Sequence, residues 1–321
     1  MSEHSPHLAH ERIQHDLSND GVDRRGFLQC MAWAGTALLW TVSGGVLSSR
    51  RLAEAATEAP GQDFSFVQIS DSHIGFHAAA NQDVIATLQQ AVARIKAAQP
   101  APAFLLHTGD LTHTQKADEF DTLAENLRGL GQIFYVPGEH DVFSDDGKTY
   151  LDRYGKGAHG KGWHSFDYRG THFVGLNNVS DLKAGGMGSL GTEQLEWLEG
   201  DLAARTASTP IVVFAHIPLW AAYPAWGWGT DDAQQALSYL KRFGSVTVLN
   251  GHIHQIMQRV EGNVRFHTAM STAFPQPAPG TAKGPGPMVV PAGQLAHLLG
   301  ITQVSLVPGQ GSLAVIDSAL G

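Results

Sequence analysis

The sequence predicts an α/β fold. Two observations on its pattern carry that reading. Short apolar runs alternate with amphipathic helical stretches in the first half of residues 56–321, and paired runs that read as hairpins follow in the second half. A third observation concerns the ends of the runs: an Asp or His motif stands close behind five of them. Strand, helix, strand, helix, strand is the signature of a parallel sheet. The rim beyond the carboxyl ends of such strands is where sites form.

Residues 1–55 read as an address rather than as part of that fold. Asp23-Arg24-Arg25-Gly26-Phe27-Leu28-Gln29 resembles a twin-arginine export consensus. A moderately apolar run from Cys30 to Leu47 follows, and Ala53-Glu54-Ala55 offers a small-x-small cleavage site. Gly35, Thr36, Thr41, Ser43, Gly44 and Gly45 make the run too polar for a convincing membrane span. The resemblance implies handling by the twin-arginine export machinery and a periplasmic or secreted protein. No stable membrane insertion is expected after processing; an uncleaved anchor is the alternative.

The remaining elements follow in order. Phe64 to Ser70 is a strand. Val84, Leu88, Val92 and Ile95 recur at helical spacing, which predicts a helix from Gln82 to Ala98, ended by Pro100 and Pro102. Phe104 to His107 is a strand, Ala117 to Leu127 a helix, and Ile133 to Val136 a third strand. Trp163 to Tyr168 and Thr171 to Leu176 flank Arg169-Gly170 as a hairpin. Thr192 to Ala204 is a helix with Thr192 as its expected N-cap. Ile211 to Ala215 and Val246 to Leu249 are strands on either side of a helix from Asp231 to Phe243, whose first turn is acidic. Ile256 to Val260 and Val264 to Thr268 form another hairpin. Residues 275–321 read as a Pro/Gly-rich loop and late strands, 301–307 and 313–317, expected to complete the second sheet.

The five motifs are Asp71-Ser72-His73, Gly109-Asp110, Gly138-Glu139-His140-Asp141, the lone His216, and Gly251-His252-Ile253-His254. Carboxylates and imidazoles meeting at one rim can hold cations. Without sulfur among them, the donors suit divalent first-row metals such as Mn, Fe, Zn or Ni. Packed together with no cation, so many polar groups would repel or go unpaired.

The ordered set resembles the calcineurin-like metallophosphoesterase superfamily, and the likeness spans residues 71–254. It implies a four-layer αββα sandwich with two mixed β-sheets. It also implies a dinuclear centre of two divalent or mixed-valence ions, with Asp71, His73 and His254 on one, Glu139, His216 and His252 on the other, and Asp110 bridging. The implied reaction is hydrolysis of phosphodiesters, possible also for monoesters, by a metal-bridging hydroxide. His140 would assist the leaving group, with Asp141 fixing its tautomer. A phosphate-binding protein without turnover and a nucleotidase-like phosphomonoesterase are the competing readings. Position 139 departs from the pattern, which usually has Asn there. The added charge would bring two divalent cations and a hydroxide to neutrality, favouring a trivalent ion or disfavouring dianionic monoesters; simple tolerance of Glu as an oxygen ligand is the alternative.

Further residues are candidates for substrate contact. His77 and His113 lie just beyond the motifs. Trp220, Tyr223 and Trp226 belong to an aromatic loop leaving His216 that could roof the site for a nucleobase or aryl group, or could be a packed loop. Such a roof would suit a small phosphoester substrate, and the net charge of -9 argues against a nucleic-acid polymer. Cys30 is the only cysteine, so no intrachain disulfide forms and the compartment is not fixed by cysteine usage. Oligomeric state is left open by the sequence. Neither a Gly-Lys-Ser/Thr phosphate loop nor a Gly-x-Ser-x-Gly elbow is present.

Overall fold

In the computed structural model, residues 38–43, 46–51, 63–306 and 313–321 are described. Backbone contacts divide the chain into residues 1–59 and 60–321. In the first unit, Leu38–Ser43 and Val46–Arg51 pair antiparallel. The twin-arginine motif and the Ala53–Ala55 cleavage site lie outside the described residues. Among the described residues, no helix is long and apolar enough to cross a membrane.

In the second unit, β1 (Phe64–Ile69), β2 (Leu105–Thr108) and β3 (Ile133–Val136) run parallel. They alternate with α1 (Val84–Ala97) and α2 (Ala117–Asn126). A third helix, α3 (Lys148–Tyr154), carries only one fully buried side chain, Tyr150, and so gives almost no helical period to read. Next come β4 (His164–Tyr168), β5 (Thr171–Gly175), α4 (Gly191–Ala203), β6 (Ile211–Ala215), α5 (Ala233–Leu240) and β7 (Val246–Asn250). The chain ends with β8 (Gln258–Glu261), β9 (Val264–Thr268), α6 (Leu295–Leu298), β10 (Gly300–Leu306) and β11 (Ala314–Ala319).

The strands form two mixed sheets, ordered β11-β10-β1-β2-β3 and β8-β9-β7-β6-β5-β4. The late strands therefore extend the first sheet, not the second. Strand β10 pairs antiparallel with β1, whose free edge it covers.

Side-chain alternation builds the layers. Phe64, Phe66, Leu106 and Val136 of one sheet meet Phe173, Val212, Phe214 and Leu249 of the other in a shared core. Val67, Ile69 and Leu105 turn the other way, onto α1 and α2. Val174, Val213 and Val248 turn onto α4 and α5. The result is the four-layer αββα sandwich, with β1, β2, β5, β6 and β7 buried on both faces, which is why they read as apolar runs.

The N-terminus of α4 is not capped by Thr192. Helix α4 begins at Gly191, and the Asp232 carboxylate, ahead of α5, accepts from the amides of Leu190 (2.9 Å) and Gly191 (2.8 Å). The acidic residue expected to serve the dipole of its own helix serves a neighbour's instead.

Candidate metal centre

Five parallel strands end at one rim, and each delivers a motif: β1 to Asp71 and His73, β2 to Asp110, β3 to Glu139, β6 to His216, and β7 to His252 and His254. Backbone bonds stitch these loops together. The amides of Asp71 and His73 donate to Gly109 O (3.0 Å) and Asp110 O (2.9 Å), and Gly251 N donates to His216 O (2.9 Å). The approach is close enough that a Cβ on Gly251 would stand 2.0 Å from Ser70 Oγ. Asp71, His73, Asp110, His252 and His254 all adopt left-handed φ, between 41° and 71°. That costs of order 1 kcal/mol per residue. Asp and His tolerate this region better than most residues, and the turns aim each side chain inward.

The donors gather in two groups. In one, His73 Nε2 and His254 Nε2 are 3.2 Å apart and Asp71 Oδ1 is 3.2 Å from His254 Nε2. In the other, Glu139 places Oε2 2.9 Å from His216 Nε2 and Oε1 3.0 Å from His252 Nδ1. Asp110 Oδ2 lies between them, 3.4 Å from His73 Nε2 and 3.5 Å from His216 Nε2.

Carbonyls on the far side fix the ring tautomers. His216 Nδ1–H donates to Thr108 O (2.7 Å) and His254 Nδ1–H to Phe274 O (2.6 Å). In its neutral form each ring therefore turns an Nε2 lone pair inward, the usual outer support of a metal-ligating histidine. Glu139 Oε2 is buried 2.9 Å from His216 Nε2 with no other partner, so when that ring is neutral acceptor faces acceptor. Such an arrangement calls for a cation between them.

Burial alone would lower the His216 pKa, but Asp110 and Glu139 outweigh it and hold it well above the usual imidazole range, so Nε2 faces enough negative charge to hold a proton, whose place a metal cation would take. Burial and the rings of His254, His140 and His113 hold His73 well below its ordinary value, leaving it a lone-pair donor.

Residues 64–256, more than half of the sequence, match the family model described as calcineurin-like phosphoesterase. The chain belongs to this family. A serine/threonine-protein phosphatase, CPPED1, from Danio rerio is 26% identical over 60% of this chain and 70% of its own. A probable cyclic nucleotide phosphodiesterase from Rhodopseudomonas palustris is 27% identical over 63% and 76%. A probable glycerophosphodiester phosphodiesterase, GpdQ, from Arcobacter nitrofigilis is 29% identical over 47% of this chain and 56% of its own. Among solved structures, a dimetal phosphatase from Danio rerio superposes with a TM-score of 0.59 at 16% identity, covering 80% of this chain and 99% of the other. A purple acid phosphatase, PPD1, from yellow lupin seeds gives 0.57 at 14% identity, covering 83% and 53%. These two likenesses are of fold. With its donor set, the chain has the makings of a metal-dependent phosphoester hydrolase.

The phosphoesterase site differs from the sequence reading at its edges. Asp141 does not orient His140. Its Oδ1 accepts from Thr112 N and Thr112 Oγ1 (both 2.9 Å), and its Oδ2 from Leu111 N (3.0 Å) and Gly138 N (2.9 Å). All four lone-pair directions are used in tying the β2 and β3 loops together. The His140 tautomer is set by His113, whose carbonyl accepts from His140 Nδ1 at 2.8 Å. The His113 ring lies parallel to that of His140 at 4.9 Å, with its Nδ1 3.4 Å from His73 Nδ1, so His113 is part of the cluster.

His77 is not. It is exposed, with Nδ1 on Gln82 O at 2.6 Å. The aromatic loop is no roof of stacked rings. Trp220 is buried in the outer core against Phe266 at 5.1 Å, while Tyr223 and Trp226 pack edge-on with each other and with Trp228. The aromatic beside His140 is Phe143, 6.1 Å away between ring centres and 63% exposed. Nothing in the run Val142-Phe143-Ser144 separates it from a core residue by sequence alone.

Phe274 was equally hidden, at the mouth of the Pro/Gly-rich loop. Its ring stacks on His73 at 4.7 Å and its carbonyl holds His254. Asn178 clamps the turn after His216, donating to Ile217 O (2.7 Å) and accepting from Ile217 N (3.2 Å).

Proposed function

We propose that this phosphoesterase is an exported hydrolase of small phosphodiesters that works with a pair of divalent cations. The observation that carries the reading is the convergence of donors from five strand ends into two groups around Asp110, with acceptor atoms facing one another. Asp71, His73 and His254 would hold one cation, Glu139, His216 and His252 the other, and Asp110 both. When bound, such a pair polarises the phosphoryl group and lowers the pKa of water toward neutrality.

The chain supplies orientation and a proton. The carbonyls of Thr108 and Phe274 keep two imidazoles turned inward, and Asp141 holds the loops in register. His140 keeps its Nδ1–H on His113 O, which leaves Nε2 to hold the proton for the leaving oxygen. Burial opposes protonation of His140, but Asp110, Glu139 and the His113 carbonyl raise its pKa above the ordinary value.

Charge favours diesters. Asp71, Asp110 and Glu139 leave two divalent cations with one net positive charge, which suits a monoanionic diester better than a dianionic monoester. The relatives from Rhodopseudomonas palustris and Arcobacter nitrofigilis, named as phosphodiesterases, support this reading. The Danio rerio relative named as a phosphatase supports monoester hydrolysis as the second reading. Phe143 offers an apolar face for an aryl or nucleobase leaving group. The leader read from residues 1–55 supports export to the periplasm or outside the cell.

The test is a panel of mono- and diesters assayed with Mn, Fe, Zn and Ni on processed protein. Diesters should lead, and His140→Ala should retain metal while losing turnover. A monoester lead would overturn the diester preference. Unchanged binding of a phosphorylated ligand with no turnover in any metal would overturn the enzyme.

A further inference from the structure

The two groups of donors match in ligand type and formal charge, the Asp71 group being the more deeply buried of the two. Each contains two imidazole nitrogens, 3.2 Å apart in one group and 3.3 Å in the other. Each has one carboxylate of its own, Asp71 or Glu139, and each shares Asp110 Oδ2 at nearly equal distance, 3.4 and 3.5 Å. Ligand charge is therefore equal in the two halves. Glu139 adds a feature of its own: its two oxygens face two different imidazoles, so it spans its half as a two-point clamp.

The geometry points to a pair of like divalent cations held with matched affinity, with Glu139 as the residue that makes the halves equal. Two cations of different charge are favoured by different ligand charge on the two sides, and the formal charge of the donor sets is the same on both. Hard–soft preference follows ligand type and is also the same on both sides. Without the Glu139 charge, the second half would keep two neutral imidazoles and a share of Asp110. Its affinity for a dication would fall while the Asp71 half kept its own. Loss of an outer partner of a metal ligand typically weakens binding 10–100-fold. Loss of a ligand's charge should cost more, on the order of 100-fold or above.

This inference rests on the reading that the cluster holds a cation pair, and the experiment separates the two. Metal-free protein is titrated with Zn²⁺ and, separately, Mn²⁺ by equilibrium dialysis with elemental analysis. The wild type should take up two equivalents in one phase, with affinities within about tenfold. Glu139→Asn should keep one equivalent and weaken the other about 100-fold or more, and Asp71→Asn should do the same from the opposite half. Glu139→Gln, with circular dichroism on every variant, serves where Glu139→Asn fails to fold. Two wild-type equivalents separated by more than about 100-fold would overturn the matching alone, as would a folded Glu139 variant with both equivalents unchanged. Uptake of fewer than two equivalents by the wild type would overturn the cation pair itself.

Discussion

Asp141→Ala is the perturbation that most sharply separates holding the loops from doing chemistry. The carboxylate accepts three backbone N–H bonds, from Leu111, Thr112 and Gly138, and one hydroxyl bond from Thr112, all within the buried junction of the β2 and β3 loops. Alanine leaves those donors unpaired. Each buried orphan costs about 1–3 kcal/mol. Water entering the space left by the carboxylate returns part of that cost, and neighbouring deletions do not add fully. A loss of about 3–5 kcal/mol is expected in urea unfolding of the metal-free protein, with unchanged m-value. Because Asp110 and Glu139 flank this junction, metal uptake should fall as well. Asp141→Asn keeps the shape and one acceptor oxygen. It should lose less stability and keep most of the turnover per bound metal, because Asp141 makes no hydrogen bond to the His140 ring and acts on it only through its charge. A well-folded, metal-replete Asp141→Asn protein that loses turnover as completely as His140→Ala would refute this account of the residue.

Four further outcomes follow from particular contacts. Phe66 is fully buried between the sheets, stacked on Phe104 at 5.2 Å and edge-on to Phe173 at 5.4 Å; Phe66→Ala should cost about 3–5 kcal/mol in denaturant unfolding, and a loss below about 1 kcal/mol would contradict the sandwich core. Burial lowers the pKa of His107 to about 3, against an ordinary 6.5. The unfolded chain then takes up a proton that the folded chain refuses, so this contribution to stability is present above pH 6.5 and should fall by about 2 kcal/mol from pH 7 to pH 5; His107→Gln should flatten that fall, and an identical slope would count against it. Metal bound only by the folded state should stabilise it by about 2.7 kcal/mol at a hundredfold excess over Kd, read as a rise in Tm that chelator reverses. Phe143→Ala should raise KM for aryl diesters several-fold and leave dimethyl phosphate, which has no apolar leaving group, unaffected; equal effects on both would remove Phe143 from the site.

The motifs were legible because chemistry and position coincide in them. Asp71, Asp110, Glu139, His216, His252 and His254 each follow a strand whose apolar run is unmistakable, and parallel strands send their ends to a common rim. The layers were legible for the same reason, since strands buried on both faces leave no polar alternation to confuse them with surface strands. What the sequence hid depends on contacts between distant segments. Asp232 caps a helix that begins some forty residues earlier in the chain. Asp141 spends its carboxylate on loop amides rather than on the ring beside it in sequence. Trp220 and Phe143 are both aromatic residues near a motif; one is buried and the other exposed, and only the packing of the outer layer decides which. Strand β10 pairs with β1 because that edge is open, a fact no local pattern records.

The central claim is that two cations sit together at the rim with Asp110 between them. Anomalous X-ray diffraction from crystals of the metal-loaded protein tests it directly. The account predicts two peaks about 3.5–4 Å apart, one beside Asp71, His73 and His254 and the other beside Glu139, His216 and His252. A single peak, or ions bound only away from these residues, would contradict it.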